Sequence, residues 1–201
     1  MNKSAFTIAV SGPSGSGKST LTKQLRDKLV DAISFHFDDY ASTNTYPDDF
    51  VEWLEKGADP KLVQNPDFNR DLSELVQGRS ITLPNNQMVK SEKYIIVEEP
   101  FGRGREGMAE LIDFVVCIDI PLEVALARRI LRGIQNAECT PSETLKSFEE
   151  YLSQYLIVVR NLYQAINLNV MADCDLIVSG LEPIDVITDK IIIELEKRSI
   201  I

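Results

Sequence analysis

Gly12, Gly17, Lys18 and Ser19 have the types and spacing to hold a polyphosphate, in the run Gly12-Pro13-Ser14-Gly15-Ser16-Gly17-Lys18-Ser19-Thr20. They fit the pattern GxxxxGK[ST]: the glycines let the backbone turn N–H groups inward, the lysine reaches the outer phosphates, and the hydroxyl takes a magnesium ion. Thr20 is expected toward the first phosphate. A second set of residues is acidic. Asp38 and Asp39 follow the apolar segment 32–37, and Glu98 and Glu99 follow the apolar segment 94–97. A carboxylate beside a phosphate site can accept the proton of an attacking hydroxyl or hold a metal-bound water. The third set, Arg128, Arg129 and Arg132, can lay positive charge over a transferring phosphoryl group.

These groups act together only if the fold gathers them. Residues 6–10 read as a buried strand before the loop, and Leu21, Leu25 and Leu29 recur at helical spacing after it. The positive end of that helix then points at the phosphates. In open parallel sheets ligands collect beyond the carboxyl ends of the strands, which puts Asp38 and Glu98 on the rim that carries the loop. Further strands are expected at 94–99, 114–119 and 175–179, with helices at 122–132, 142–165 and 184–195. The helix at 142–165 is expected to bury Leu145, Phe148, Leu152, Tyr155, Leu156 and Val159. The alternation implies an α/β chain: one domain, residues 1–201, with a three-layer α/β/α fold and a parallel central sheet.

Two segments break the rhythm. Residues 46–92 read as a small insertion holding an apolar face of Phe50, Trp53 and Leu54, a helix near 71–77 and a hairpin of 80–83 with 88–89. Such insertions on a ligand rim commonly carry substrate contacts. Residues 128–142 read as an arginine-rich lid, its stretch 133–141 flexible. Arg103 and Arg105 are expected in solvent, and His36, with no partner in view, packed or exposed.

The chain has 201 residues and a net charge of −10, which argues against a polynucleotide partner, since such surfaces need clustered Lys and Arg. Its three cysteines form no CxxC pair, so neither a disulfide framework nor a zinc site is suggested. With no apolar run long enough to span a bilayer, no membrane partner is expected and the cytoplasm is the expected location. Homo-oligomerisation is left open.

Taken in order, GPSGSGKST, FHFDDY, YIIVEEP, FVVCIDIPLEVALARRILR, YLSQYLIVVRNLY and ADCDLIV resemble the uridine kinase group of P-loop kinases. Broader relatives of that group are the nicotinamide riboside kinases, pantothenate kinase and phosphoribulokinase. The resemblance implies a P-loop NTPase fold and transfer of phosphate from ATP, with Mg²⁺, to a hydroxyl of a small-molecule acceptor, a nucleoside first of all. It implies that Asp38 is the base, that Lys18, Arg129 and Arg132 neutralise the phosphoryl oxygens, and that Ser19 holds magnesium. Glu98 would stand near the metal, through water, or near the sugar, and Tyr40 would line the acceptor pocket. Asp67 and Phe68 fall where the family has a substrate-binding YDF segment followed by a histidine; no histidine follows here. Glu99-Pro100 replaces the glycine usual after the strand-end glutamate, and no arginine follows Arg132 in the lid. The acceptor can therefore also be a non-nucleoside metabolite such as pantothenate, a sugar or a sugar phosphate. A nucleotide-dependent switch without an acceptor is the third reading.

Overall fold

The computed structural model describes residues 3–201. Its strands are β1 (Phe6–Ser11), β2 (Ala32–His36), the short pair β3 (Ile81–Thr82) and β4 (Met88–Val89), β5 (Tyr94–Glu98), β6 (Phe114–Asp119) and β7 (Leu176–Ser179). The helices are α1 (Lys18–Lys28), α2 (Phe50–Glu55), α3 (Pro66–Val76), α4 (Met108–Leu111), α5 (Leu122–Gln135), α6 (Pro141–Gln154), α7 (Arg160–Asp173) and α8 (Ile184–Lys197). Five strands make one parallel sheet in the order β2-β5-β1-β6-β7, and β3 pairs antiparallel with β4 in a separate hairpin.

Side chains alternate along each strand, and the sheet has a different cover on each face. Ile8, Val10, Ile96 and Val116 pack against Leu21 and Leu25 of α1 and Ile187, Ile191 and Leu195 of α8. Ala9, Val97, Val115 and Cys117 face the other way, toward Phe68, Leu72 and Leu75 of α3 and Leu162 and Val170 of α7. This is the expected three-layer arrangement, with β1 in the middle so that its loop leaves the centre of the rim. No helix among the described residues is long and apolar enough to cross a membrane.

Three expected elements differ. The helix expected near 71–77 begins at Pro66, because Asn65 caps it by accepting from the Phe68 N–H at 3.0 Å and Pro66 tolerates the first helical position. The stretch expected to be flexible is shorter. Gly133 remains helical in α5, tight against the Phe148 ring of α6, and a Thr140–Glu143 capping box starts α6 after residues 136–140. The helix expected at 142–165 is a longer continuous run, α6, a π-helical turn at Tyr155–Val159 and α7. Its inner stripe is Tyr155, Val158 and Leu162, whereas Leu145 and Leu156 are 70% and 79% exposed. The wide turn rotates Leu156 off the inner face. α6 itself stands away from the sheet and buries none of its residues.

Gly15, in the loop after β1, takes a φ of 88°, and a Cβ there would stand 2.1 Å from the Ala125 carbonyl oxygen of α5. Loop and α5 are therefore locked by close backbone approach. Gly15→Ala is expected to lower stability by about 1–3 kcal/mol through overpacking, read as a lower denaturant midpoint at constant m-value.

Candidate active site

The glycine loop closes through a Ser16 N–H bond to the Pro13 carbonyl at 3.1 Å, and Gly12, Gly15 and Gly17 all have φ values that other residues avoid. Gly17 offers no side chain to cap α1, which leaves the first N–H groups of that helix available to an anion. The Lys18 ammonium is buried in the loop and donates to the Pro13 carbonyl at 3.2 Å. Burial pulls its pKa down, opposed by the charges of Glu98 and Asp38.

Alternation along β5 sends its two terminal carboxylates to opposite faces. Glu98, in phase with Tyr94 and Ile96, points to the α1 side, where Ser19 Oγ donates to its Oε1 at 3.1 Å. Parallel register places His36 of β2 directly beside it, and His36 Nδ1 lies 3.0 Å from Oε2. Burial raises the pKa of Glu98, but the His36 hydrogen bond, the Lys18 charge and the Ser19 hydroxyl outweigh it, so the carboxyl sits below its usual range. The His36 pKa is raised, chiefly by the hydrogen bond to Glu98. His36 thus has a specific partner, against the expectation of a merely packed or exposed side chain.

Glu99 points to the other face and meets Arg105, which is buried rather than solvated. Arg105 Nη2 donates to Glu99 Oε2 at 2.6 Å with both side chains 0% exposed, and its guanidinium stacks over Phe37 at 4.8 Å and Phe68 at 5.1 Å. Arg103 is tied down too, donating to the carbonyls of Ile112, Asp113 and Asp173 and to the Asp175 carboxylate.

A cavity of about 360 Å³ opens on the rim beside the loop. Lys18, Asp38, Arg129 and Arg132 line it, and its wall includes Tyr46, Phe50, Trp53, Phe101, Tyr151 and Tyr163. Arg129 Nη1 donates to Ser14 Oγ at 2.5 Å while its guanidinium lies 4.5 Å from the Tyr151 ring centre, so it is fixed between loop and cavity wall. Arg128 donates instead to the Gly180 carbonyl and ties α5 to the exit of β7.

The fold brings Asp38, Lys18, Arg129 and Arg132 to one cavity, with Ser19 and Glu98 paired beside it. It does not bring Tyr40, Asp67 or Phe68 there. Tyr40 is buried, its hydroxyl donating to Asp71 Oδ2 at 2.7 Å, and Phe68 is packed against Phe35 and Tyr40. Asp67 pairs on the surface with Arg70. The early start of α3 explains this: the helix lies on the sheet and turns Phe68 into the core. Of the aromatic wall, only Phe50 and Trp53 show in the sequence pattern, as an apolar face. Its members are contributed by segments more than a hundred residues apart.

Among the described residues no three His, Cys, Asp or Glu side chains converge to cage a metal. A hydroxyl and a carboxylate, both hard oxygen donors, face each other where the loop meets α1, which fits Mg²⁺, an ion that keeps much of its water and binds through phosphates.

A central strand, glycine loop and helix in a helix-flanked parallel sheet make this a P-loop NTPase fold. The solved shikimate kinase of Aquifex aeolicus shares that fold, with a TM-score of 0.51 and 20% identity over 96% of this chain and 98% of that one. A family model described as RNA helicase matches residues 8–100, the part holding the loop and β5. The uridine kinase of Macrococcus caseolyticus is 27% identical over 92% of this chain and 94% of its own, and that of Staphylococcus aureus strain JH9 is 25% identical over 94% and 96%. The chain is thus similar to these uridine kinases over nearly its whole length and has the P-loop NTPase fold.

His36 is the single histidine, so its imidazole resonances are unambiguous. They should titrate above 6.5 in the native protein and fall back toward 6.5 in Glu98→Gln, followed by NMR. Because the folded value is raised, the stability the pair contributes is complete below about pH 6.5 and is lost as pH rises through the folded pKa.

Proposed function

We propose that the chain transfers the γ-phosphoryl group of ATP to a hydroxyl of a nucleoside-like acceptor. The observation that carries this reading is one cavity lined by Lys18 and the phosphate loop, by Asp38 and by several aromatic side chains. Aromatic faces suit a flat heterocycle, since offset stacking adds to the area they bury. They suit a sugar phosphate or a flexible acyl chain less well. A carboxylate on the acceptor side also favours a kinase over a nucleotide switch, which needs no acceptor.

In this reading Asp38 accepts the proton of the acceptor hydroxyl and aims its oxygen along the line of attack. Lys18 and Arg129, the latter held by Ser14 and Tyr151, draw charge from the transferring group, and Arg132 adds a second guanidinium from α5. The loop N–H groups and the start of α1 hold the phosphates still. Ser19 and Glu98 would hold magnesium, Glu98 through water, and the ion would supply neutralisation of phosphate charge. α5 and α6 act as the lid. The three cysteines are free, in keeping with a cytoplasmic enzyme.

Asp38→Asn removes the proton acceptor while keeping shape. It is expected to lower kcat by about 10²–10⁴-fold with ATP affinity intact. Trp53, the single tryptophan, lines the cavity and reports acceptor binding by its fluorescence. The emission change on adding nucleoside should persist in Asp38→Asn, and full activity in that variant would contradict the assignment.

A further inference from the structure

A buried carboxylate with two oxygens needs a donor for each, and what satisfies the second oxygen decides where the first one points. Glu98 has a donor on both. Ser19 Oγ–H reaches Oε1 at 3.1 Å, and the Nδ1–H of His36 reaches Oε2 at 3.0 Å, the tautomer that a carboxylate acceptor requires. With the imidazole in place the Glu98 side chain is only 6% exposed.

The nearby cation makes the second bond consequential. Lys18 is close enough to depress the Glu98 pKa, yet among the described residues the two form no ion pair; the ammonium is turned to the Pro13 carbonyl inside the loop. A carboxylate freed on its Oε2 side could rotate to pair with that ammonium. The lysine would then be drawn from the phosphates and Oε1 from Ser19. His36 stands against this rotation from the adjacent strand, where the register His36↔Glu98 fixes it.

We infer that His36 is a positioning residue for the magnesium side of the phosphate site, holding Glu98 toward Ser19 and away from Lys18. The inference rests on the reading of Ser19 and Glu98 as the magnesium side. His36 touches neither nucleotide nor metal in this account. It acts through Glu98, as hydrogen-bonded outer groups commonly orient the groups that hold an ion.

The test is the binding of a fluorescent ADP analogue, measured with magnesium titrated and again in EDTA. The proteins compared are wild type, His36→Leu and His36→Asn, whose amide N–H can stand where Nδ1–H stands. His36→Leu is expected to need about tenfold more magnesium for half-maximal enhancement of binding, with affinity in EDTA no weaker than wild type, and His36→Asn to restore most of the loss. A magnesium dependence in His36→Leu equal to wild type overturns the inference and leaves the kinase reading standing. Equal weakening with and without magnesium also overturns it, since that is what general disruption of the fold would do. If wild-type binding is itself indifferent to magnesium, the reading of Ser19 and Glu98 fails, and this inference with it.

Discussion

Successive residues of a buried parallel strand must face opposite layers, and at the end of β5 those residues are two glutamates. Neither can be left ionised and alone in the interior. Ser19 of α1 and His36 of the neighbouring strand β2 answer Glu98 on the α1 side, and Arg105 answers Glu99 on the opposite side. The first answer makes a polar junction at the phosphate loop; the second makes a fully buried ion pair that joins β5 to Phe37 and to Phe68 of α3. Such a pair contributes little net stability over an apolar equivalent, yet losing one partner costs about 3–5 kcal/mol. Its effect here is placement: it sets the wall from which Asp38 emerges.

The same constraint explains how a chain of net charge −10 accommodates a polyanion. At one part of the rim Lys18, Arg129 and Arg132 meet loop N–H groups and a helix N-terminus. Burial makes the Lys18 charge costly unless an anion is present, and the Glu98 and Asp38 charges offset only part of that cost. The site is therefore electrostatically prepared for phosphate within a chain whose net charge is negative.

Much of the loop side of the cavity is legible in the sequence, because it depends on local spacing. The pattern from Gly12 to Ser19 and the acids after two apolar runs need only a strand and a turn to become a rim. What the sequence did not give up depends on packing at long range. The resemblance puts Tyr40 in the acceptor pocket, but the 3₁₀ segment Phe37–Thr43 after β2 turns it inward onto Asp71. Arg105 reads as solvated in a glycine-rich loop, although the alternation of Glu98 and Glu99 already implied a buried carboxylate needing a cation. Asn65-Pro66 was a helix-start signal that would have placed Phe68 in the core. The aromatic wall joins Tyr46, Trp53, Phe101 and Tyr163 from distant segments, and no local period announces such a set.

The central claim is that the cavity beside the loop receives a hydroxyl to be phosphorylated. Phosphorus NMR of the protein with ATP, magnesium and a set of nucleosides, pantothenate and sugar phosphates tests it most directly, because it separates transfer from hydrolysis. The account predicts a phosphomonoester resonance growing with one or more nucleosides in step with ADP. Growth of inorganic phosphate alone, unchanged by every acceptor, would contradict it.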